Sequence, residues 1–206
     1  MFARQRRESG QAFPIYVVMV AGLLFLVFAF FAVGKAAALR NGAQGAADAA
    51  ALAAAQKARE QLEAPFLASL PGNMLDSFLQ GYAFPTAMPC VEAQRLAAAN
   101  QADVYRGHCD ASYGGDRDQI TVEVETRKPV DSTVIPGTKT KFAKAEATAV
   151  VEFRCSWKAV DYNDDGVQDM YFFTCEDGGM VEIAPSSPPP WSQVSKILFD
   201  VHLIDD

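Results

Sequence analysis

From Phe13 to Gly34 the chain carries no charged residue, and the stretch is dense in large apolar side chains such as Val17, Val18, Leu23, Leu24, Phe25, Leu26, Phe28, Phe30 and Phe31. A helix that crosses a bilayer needs roughly 20 apolar residues at 1.5 Å each to cover about 30 Å of hydrocarbon. This run is long enough. Pro14 stands at its start, where a missing N–H is harmless. Arg4, Arg6 and Arg7 precede it against Glu8. They predict a cytoplasmic basic tail over residues 1–12, a transmembrane helix over 13–34 and export of the chain from about residue 35 onward. Lys35 and Arg40 oppose that orientation. A cleaved signal peptide is the competing explanation, because Ala36, Ala37 and Ala38 offer small residues to a peptidase. The apolar core exceeds the roughly 7 to 15 residues of a signal peptide's apolar region, so a retained single-pass anchor is expected.

Length allows one ordinary domain beside such an anchor, since domains usually run about 100 to 150 residues. The formal net charge is −7, and with three arginines in the tail the remainder is more acidic still. Nucleic-acid binding depends on Lys and Arg neutralising phosphates, so this balance sets it aside. The four cysteines, Cys90, Cys109, Cys155 and Cys175, all come after the span, on the side where oxidation is expected. An even count there reads as two disulfides with three possible connectivities. Zinc is the rival, but no pair has C-x-x-C spacing and only His108 lies near a cysteine.

Residues 35–63 are dominated by Ala, the best helix former. The membrane helix is therefore expected to continue outward as an exported helix, loosened at Asn41, Gly42 and Gly45. With no broad apolar stripe, it can pack closely only on something equally small-sided. The remainder, 64–206, reads as an α+β head. Pro65, Pro71, Gly72, Gly81, Pro85 and Pro89 leave room for one short helix around 73–80 between loops. A second helix is expected over Cys90–Asn100 and a first strand over Val104–Cys109, with Cys90 and Cys109 tying one to the other. After a turn at Gly114 and Gly115, Ile120, Val122 and Val124 alternate with Thr121, Glu123 and Glu125, as in a half-buried strand. A longer alternation covers 141–158, with Ala143, Ala145, Ala147, Ala149, Val151, Phe153, Cys155 and Trp157 on one parity. Only Val150 disturbs it. That period of two outweighs the helix propensity of Ala and Glu, and its small face suits an Ala-rich helix. Strands are also expected over Met170–Glu176 and Lys196–Ile204, with an extended connector around Pro188, Pro189 and Pro190.

The most specific chemical signal is the loop 161–169. Asp161, Asn163, Asp165 and Asp169 place side-chain oxygens at its positions 1, 3, 5 and 9, with Gly166 at position 6. A tight turn at Gly folds alternate oxygens inward, and the Val167 carbonyl can complete a cage at about 2.4 Å, so Ca2+ in a structural role is expected. Position 12 is Phe172 instead of Glu, which excludes a full EF-hand. The competing explanation is a polar hairpin loop of ordinary turn residues. Cys155 and Cys175 each lie six residues from the loop, which places them opposite each other in an unbulged hairpin and predicts a cross-strand disulfide.

Glu8, Ser9, Gly10, Gln11 and Ala12, then the apolar span, then the run from Gln44 through Ala46, Ala47, Asp48, Ala49, Ala50, Ala51, Leu52, Ala53 and Ala54, resemble the TadE/TadG-like proteins of tight-adherence (Flp) pilus assembly. The likeness covers the first quarter of the chain. Cys90, Ala93, Leu96, Ala97, Asn100, Val104 and Cys109 are similar to the cysteine-bounded helix and strand of actinobacterial relatives. The resemblance implies a pilin-like plan, a long N-terminal helix laid on a small antiparallel sheet, in a minor subunit or assembly factor. Processed pseudopilins are cut after a Gly with a Glu five residues on; here Gly10 is followed at that distance by Ile15. The large von Willebrand-type domain of longer relatives does not fit this length, and its metal site is not carried over.

No catalytic set is legible. His108 and His202 are the only histidines, and G-x-S-x-G, H-E-x-x-H and glycine-rich phosphate loops are lacking. The sequence therefore predicts a non-enzymatic, membrane-anchored structural or assembly component of a Flp/Tad-type pilus or related envelope system. Its expected partners are the membrane and other pilus, pseudopilus or Tad secretion-system subunits, with no nucleic acid and no small-molecule substrate. The alternative is a calcium-dependent cell-surface binding module, an anchored adhesin.

Overall fold

A computed structural model describes residues 12–81, 84–114, 117–129, 140–176 and 178–204, so residues 1–11, with Arg4, Arg6, Arg7 and Gly10, lie outside the described residues. Ala12–Gln61 form one helix, α1, of 50 residues, about 75 Å long at 1.5 Å per residue. It does not loosen at Asn41, Gly42 or Gly45, contrary to the sequence expectation. A mid-helix Gly costs about 1 kcal/mol relative to Ala. Here Gly42 and Gly45 face solvent beside Ala43, Ala46 and Ala47, whose complete or near-complete burial anchors the helix through that stretch.

The chain is α+β. After α1 come three short helices, α2 (Glu63–Ser69), α3 (Leu75–Gly81) and α4 (Ala87–Ala99). A four-stranded antiparallel sheet has the order β1 (Ala102–Gly114), β2 (Arg117–Thr126), β3 (Lys144–Phe153), β7 (Phe199–Ile204). A three-stranded antiparallel sheet has β4 (Cys155–Val160), β5 (Met170–Cys175) and β6 (Met180–Ile183), and α5 (Trp191–Leu198) leads into β7.

Four expectations need correction. Pro65 does not keep its segment a loop: it stands in the first turn of α2, where a helix has no internal use for the N–H that proline lacks. The alternation over 141–158 is not one strand, because Arg154 separates β3 from β4 and they join different sheets. There the Arg154 N–H donates to the Leu198 carbonyl at 3.1 Å. Residues 196–198 belong to α5 instead of a strand, since Trp191, Val194, Ser195 and Leu198 are buried at helical spacing. Finally, β1 is much longer than 104–109 and carries a wide bulge. Val104 pairs with Val124 and Cys109 with Val122, so Tyr105 to His108 stand opposite Glu123 alone. Gly107 at φ +81° and Arg106 at φ +49° turn the chain there. The turn after Gly114 closes onto Arg117 by register, and Gly115 lies outside the described residues.

The core has two characters. Ala47, Ala50, Ala51, Ala54 and Ala58 of α1 are fully buried in one cluster with Ala93 and Ala97 of α4, and with Ile120, Val122, Val124, Ala147 and Ala149 of the sheet. Small side chains on both sides let helix and sheet approach closely; Gln44 Nε2 donates to the Glu146 carbonyl at 3.2 Å. Farther from the span, Phe66 meets Phe78, Phe173, Trp191 and Phe199 at ring-centroid separations of 5.3 to 6.1 Å. Such aromatic pairs add about 0.5 to 1.5 kcal/mol each beyond area burial. Val150 interrupts the alternation of β3 as expected: it is 1% exposed on the opposite face, between Gln119 and His202, so that residues 147–151 are all buried.

Candidate functional site

The acidic loop closes the β4–β5 hairpin. Asp161 Oδ2 accepts the Gly166 N–H at 2.8 Å, and its Oδ1 accepts that of Asn163 at 3.2 Å. Asn163 Oδ1 accepts from Asp165 N–H at 3.1 Å, Asp165 Oδ1 from Val167 N–H at 2.8 Å and Asp169 Oδ2 from Tyr162 N–H at 2.8 Å. Short polar side chains bonding to nearby backbone are what make such residues turn formers. Gly166 adopts φ +85° and Asp164 φ +58°, conformations that glycine and aspartate tolerate best. Desolvation, the largest single influence, works to raise the Asp161 carboxyl, but the N–H groups of Gly166, Asn163, Asp164 and Asp165 together outweigh it and hold the group below its ordinary value. The four predicted side chains thus share one loop, with their oxygens turned onto its own backbone. Among the described residues no three His, Cys, Asp or Glu side chains form a group placed to hold a metal.

The loop is tied to the helical side of the head. Gln168 N–H donates to the Pro71 carbonyl at 2.9 Å, and the buried Tyr171 hydroxyl donates to the Leu70 carbonyl at 2.7 Å. Desolvation, reinforced by Asp76, raises the Tyr171 hydroxyl above its usual range. Two disulfides complete the clamp. Cys90 joins Cys109, fastening α4 to β1, and Cys155 joins Cys175, its register partner across β4 and β5.

The long helix holds the other predicted feature. Large side chains from Phe13 to Val33 are exposed on every side of α1, including Phe25, Phe30 and Phe31. It is the one helix among the described residues long and apolar enough to cross a membrane. Ala43 marks the change: from there to Ala58 the helix buries Ala against the head. Residues 10–57, which take in both halves, match the family model described as Flp pilus-assembly TadE/G-like. This segment is similar to the TadE/G-like family. The match supports a role related to Flp pilus assembly. No curated protein and no solved structure matches the chain. The TadE/G-like segment ends within the packed half of α1, so the head beyond Lys57, with both disulfides and the acidic loop, lies outside the match.

Two features of the chain escaped sequence reasoning. Arg59 sits at the end of the seam, its Nη1 donating to the Phe199 carbonyl at 3.5 Å while Trp191 Nε1 donates to the Arg59 carbonyl at 3.3 Å. Burial pushes its guanidinium down from its ordinary value, with Glu60 and Asp200 acting the other way. On the outer sheet face, the bulge brings Tyr105 and His108 to Glu123 and Lys144. His108 Nδ1 lies 2.9 Å from Glu123 Oε2, and Lys144 Nζ lies 2.9 Å from the Tyr105 ring centroid. The only available signal was that Gly107 interrupts a strand pattern.

Proposed function

We propose that this chain is a membrane-anchored structural or assembly component of a Flp/Tad-type pilus, resembling a minor pilin or pseudopilin. Residues 1–12 face the cytoplasm, 13–34 cross the membrane, 35–63 form the exported Ala-rich helix and 64–206 the extracytoplasmic head. The observation that carries this reading is the division of α1, whose apolar half is left bare by a head that grips the Ala half. Two disulfides in the head favour the oxidising side of the membrane. Crosslinking in the native envelope tests it. Adducts with Tad secretion or pilus subunits are expected; a protein recovered in the cytosol with reduced thiols would end the proposal.

A second reading, a calcium-dependent surface-binding module, is favoured by the gathering of Asp161, Asn163, Asp165 and Asp169 around Gly166. Ca2+ bound there with the Val167 carbonyl would brace the hairpin. On this reading Ca2+ raises the melting temperature of the head, and Asp161→Ala with Asp165→Ala removes that rise. An unmutated head whose melting temperature ignores Ca2+ would dispose of the metal, and with it the adhesin alternative.

A further inference from the structure

The structure fixes how the head stands relative to the end of the apolar span. Gln44 bonds to the Glu146 carbonyl, and Arg59 to the carbonyl of Phe199, the register partner of Phe153. From Gln44 to Arg59 the helix rises about 22 Å, and from Glu146 to Phe153 the strand rises about 23 Å. Strand β3 therefore runs alongside α1 in the same direction with little tilt. The ladder continues toward the span as far as Ala143, whose carbonyl accepts the Thr126 N–H at 2.9 Å. Phe142 lies about 13 Å before Glu146 along the strand, and Lys35 about 13 Å before Gln44 along the helix. Phe142 thus stands level with Lys35, the first residue after the uncharged run.

That end of the head differs from the rest in charge. Arg127, Lys128, Lys141 and Lys144 stand there against Asp103, Glu123 and Glu125, in a chain of net charge −7. Arg127 is paired with Asp103 at 2.6 Å, while Lys128 and Lys141 are exposed. Phe142 is 44% exposed among them. Arg40, also exposed, adds a further cation on the helix between the two levels. Headgroups extend about 5 to 8 Å beyond the hydrocarbon, and charges interact over a Debye length of about 8 Å at physiological salt. Basic residues at this height lie within reach of lipid phosphates, and an exposed aromatic ring among them suits the interface.

We propose that the end of the head formed by Arg127, Lys128, Lys141 and Phe142 rests on the anionic headgroups of the membrane that its own helix enters. This rests on the reading of residues 13–34 as a membrane anchor. The contact holds the head upright at a set height, because α1 alone would leave it free to tilt.

The test uses the full chain in nanodiscs containing phosphatidylglycerol brominated near the glycerol backbone. The native Trp157 and Trp191 lie at the far end of the head, Trp191 at the level of Arg59, and supply an unquenched baseline. Tryptophan introduced by Phe142→Trp is expected to lose most of its added emission to bromine, as is that of Phe31→Trp, which stands near the outer end of the span. Lys128→Gln with Lys141→Gln should weaken the resting position roughly thirtyfold and restore much of the Phe142→Trp emission. Quenching of Phe31→Trp without quenching of Phe142→Trp would overturn the headgroup contact and leave the anchor standing. Quenching of neither would remove the anchor and the contact together. Equal quenching in purely phosphatidylcholine discs would overturn the assignment to anionic lipid.

Discussion

The two halves of α1 are one unbroken helix with opposite relations to their surroundings. Between Phe13 and Val33 large apolar side chains are exposed, whereas between Ala43 and Ala58 the buried residues are all Ala. If water surrounded both halves this would be inverted, since burying a large apolar side chain yields about 1.5 to 3 kcal/mol and Ala far less. The inversion is resolved when each half has its own solvent. On the proposed reading hydrocarbon covers the first half, while the head covers the second, where small size matters more than hydrophobicity because it lets helix and sheet approach closely. Residue type along this helix therefore reports the neighbour, and burial inside the protein alone does not measure how well a side chain is placed.

The comparison can be broken from either side. The largest effect is expected from Leu24→Arg, which at the centre of a spanning helix costs about 2.5 to 3.5 kcal/mol of insertion; alkaline extraction of membranes should release the variant while the melting of the head is unchanged. A head that melts lower would mean the first half contributes to it. Next, Ala50→Leu forces a larger side chain into a site that is fully buried, and overpacking of this kind destabilises by about 1 to 3 kcal/mol. Denaturant unfolding of the head should register that loss with membrane retention intact, and unchanged stability on this substitution would show the seam to be loosely packed. Smaller still, Gly42→Ala sits on the exposed face where an added Cβ meets nothing within 4 Å, and it should stabilise the junction between the halves by about 0.5 to 1 kcal/mol. Hydrogen exchange across 40–46 is the measurement; unchanged exchange would mean Gly42 does not limit continuity.

The smallest effect concerns the acidic loop, far from both halves. The Asp161 carboxyl is held below its ordinary value of 3.8, so it binds its proton less readily folded than unfolded. Its contribution to head stability is present above that value and is lost as pH falls through the lower, folded one. Carboxyl NMR titration should place the Asp161 midpoint below 3.8, and a midpoint at or above it would contradict the hydrogen bonds around Gly166.

How far the sequence could be read depended on the range of the interactions involved. The uncharged run, the Ala-rich continuation and the helix over Cys90–Asn100 rest on neighbours within a few turns, so composition exposed them. The Cys155–Cys175 pairing was also legible, because equal spacing about a hairpin loop is local geometry, and so was the small face of β3 that suits the Ala helix. The acidic loop was legible as a set of inward-turned oxygens, but no sequence pattern says whether they serve a cation or only their own backbone.

By itself the sequence determined the long apolar helix, the α+β class and the small-sided faces of α1 and β3. Tertiary structure alone decided that 196–198 coil into α5 under Trp191, that the alternating run divides at Arg154 into two sheets, and that Tyr105 to His108 bulge over Glu123. Each of these choices is made by partners distant in the chain: Leu198 for Arg154, Arg59 for Trp191, Glu123 and Lys144 for the bulge. A residue's local periodicity permits several backbone paths of similar free energy, and the path taken is the one that satisfies hydrogen bonds and packing with segments local sequence cannot see.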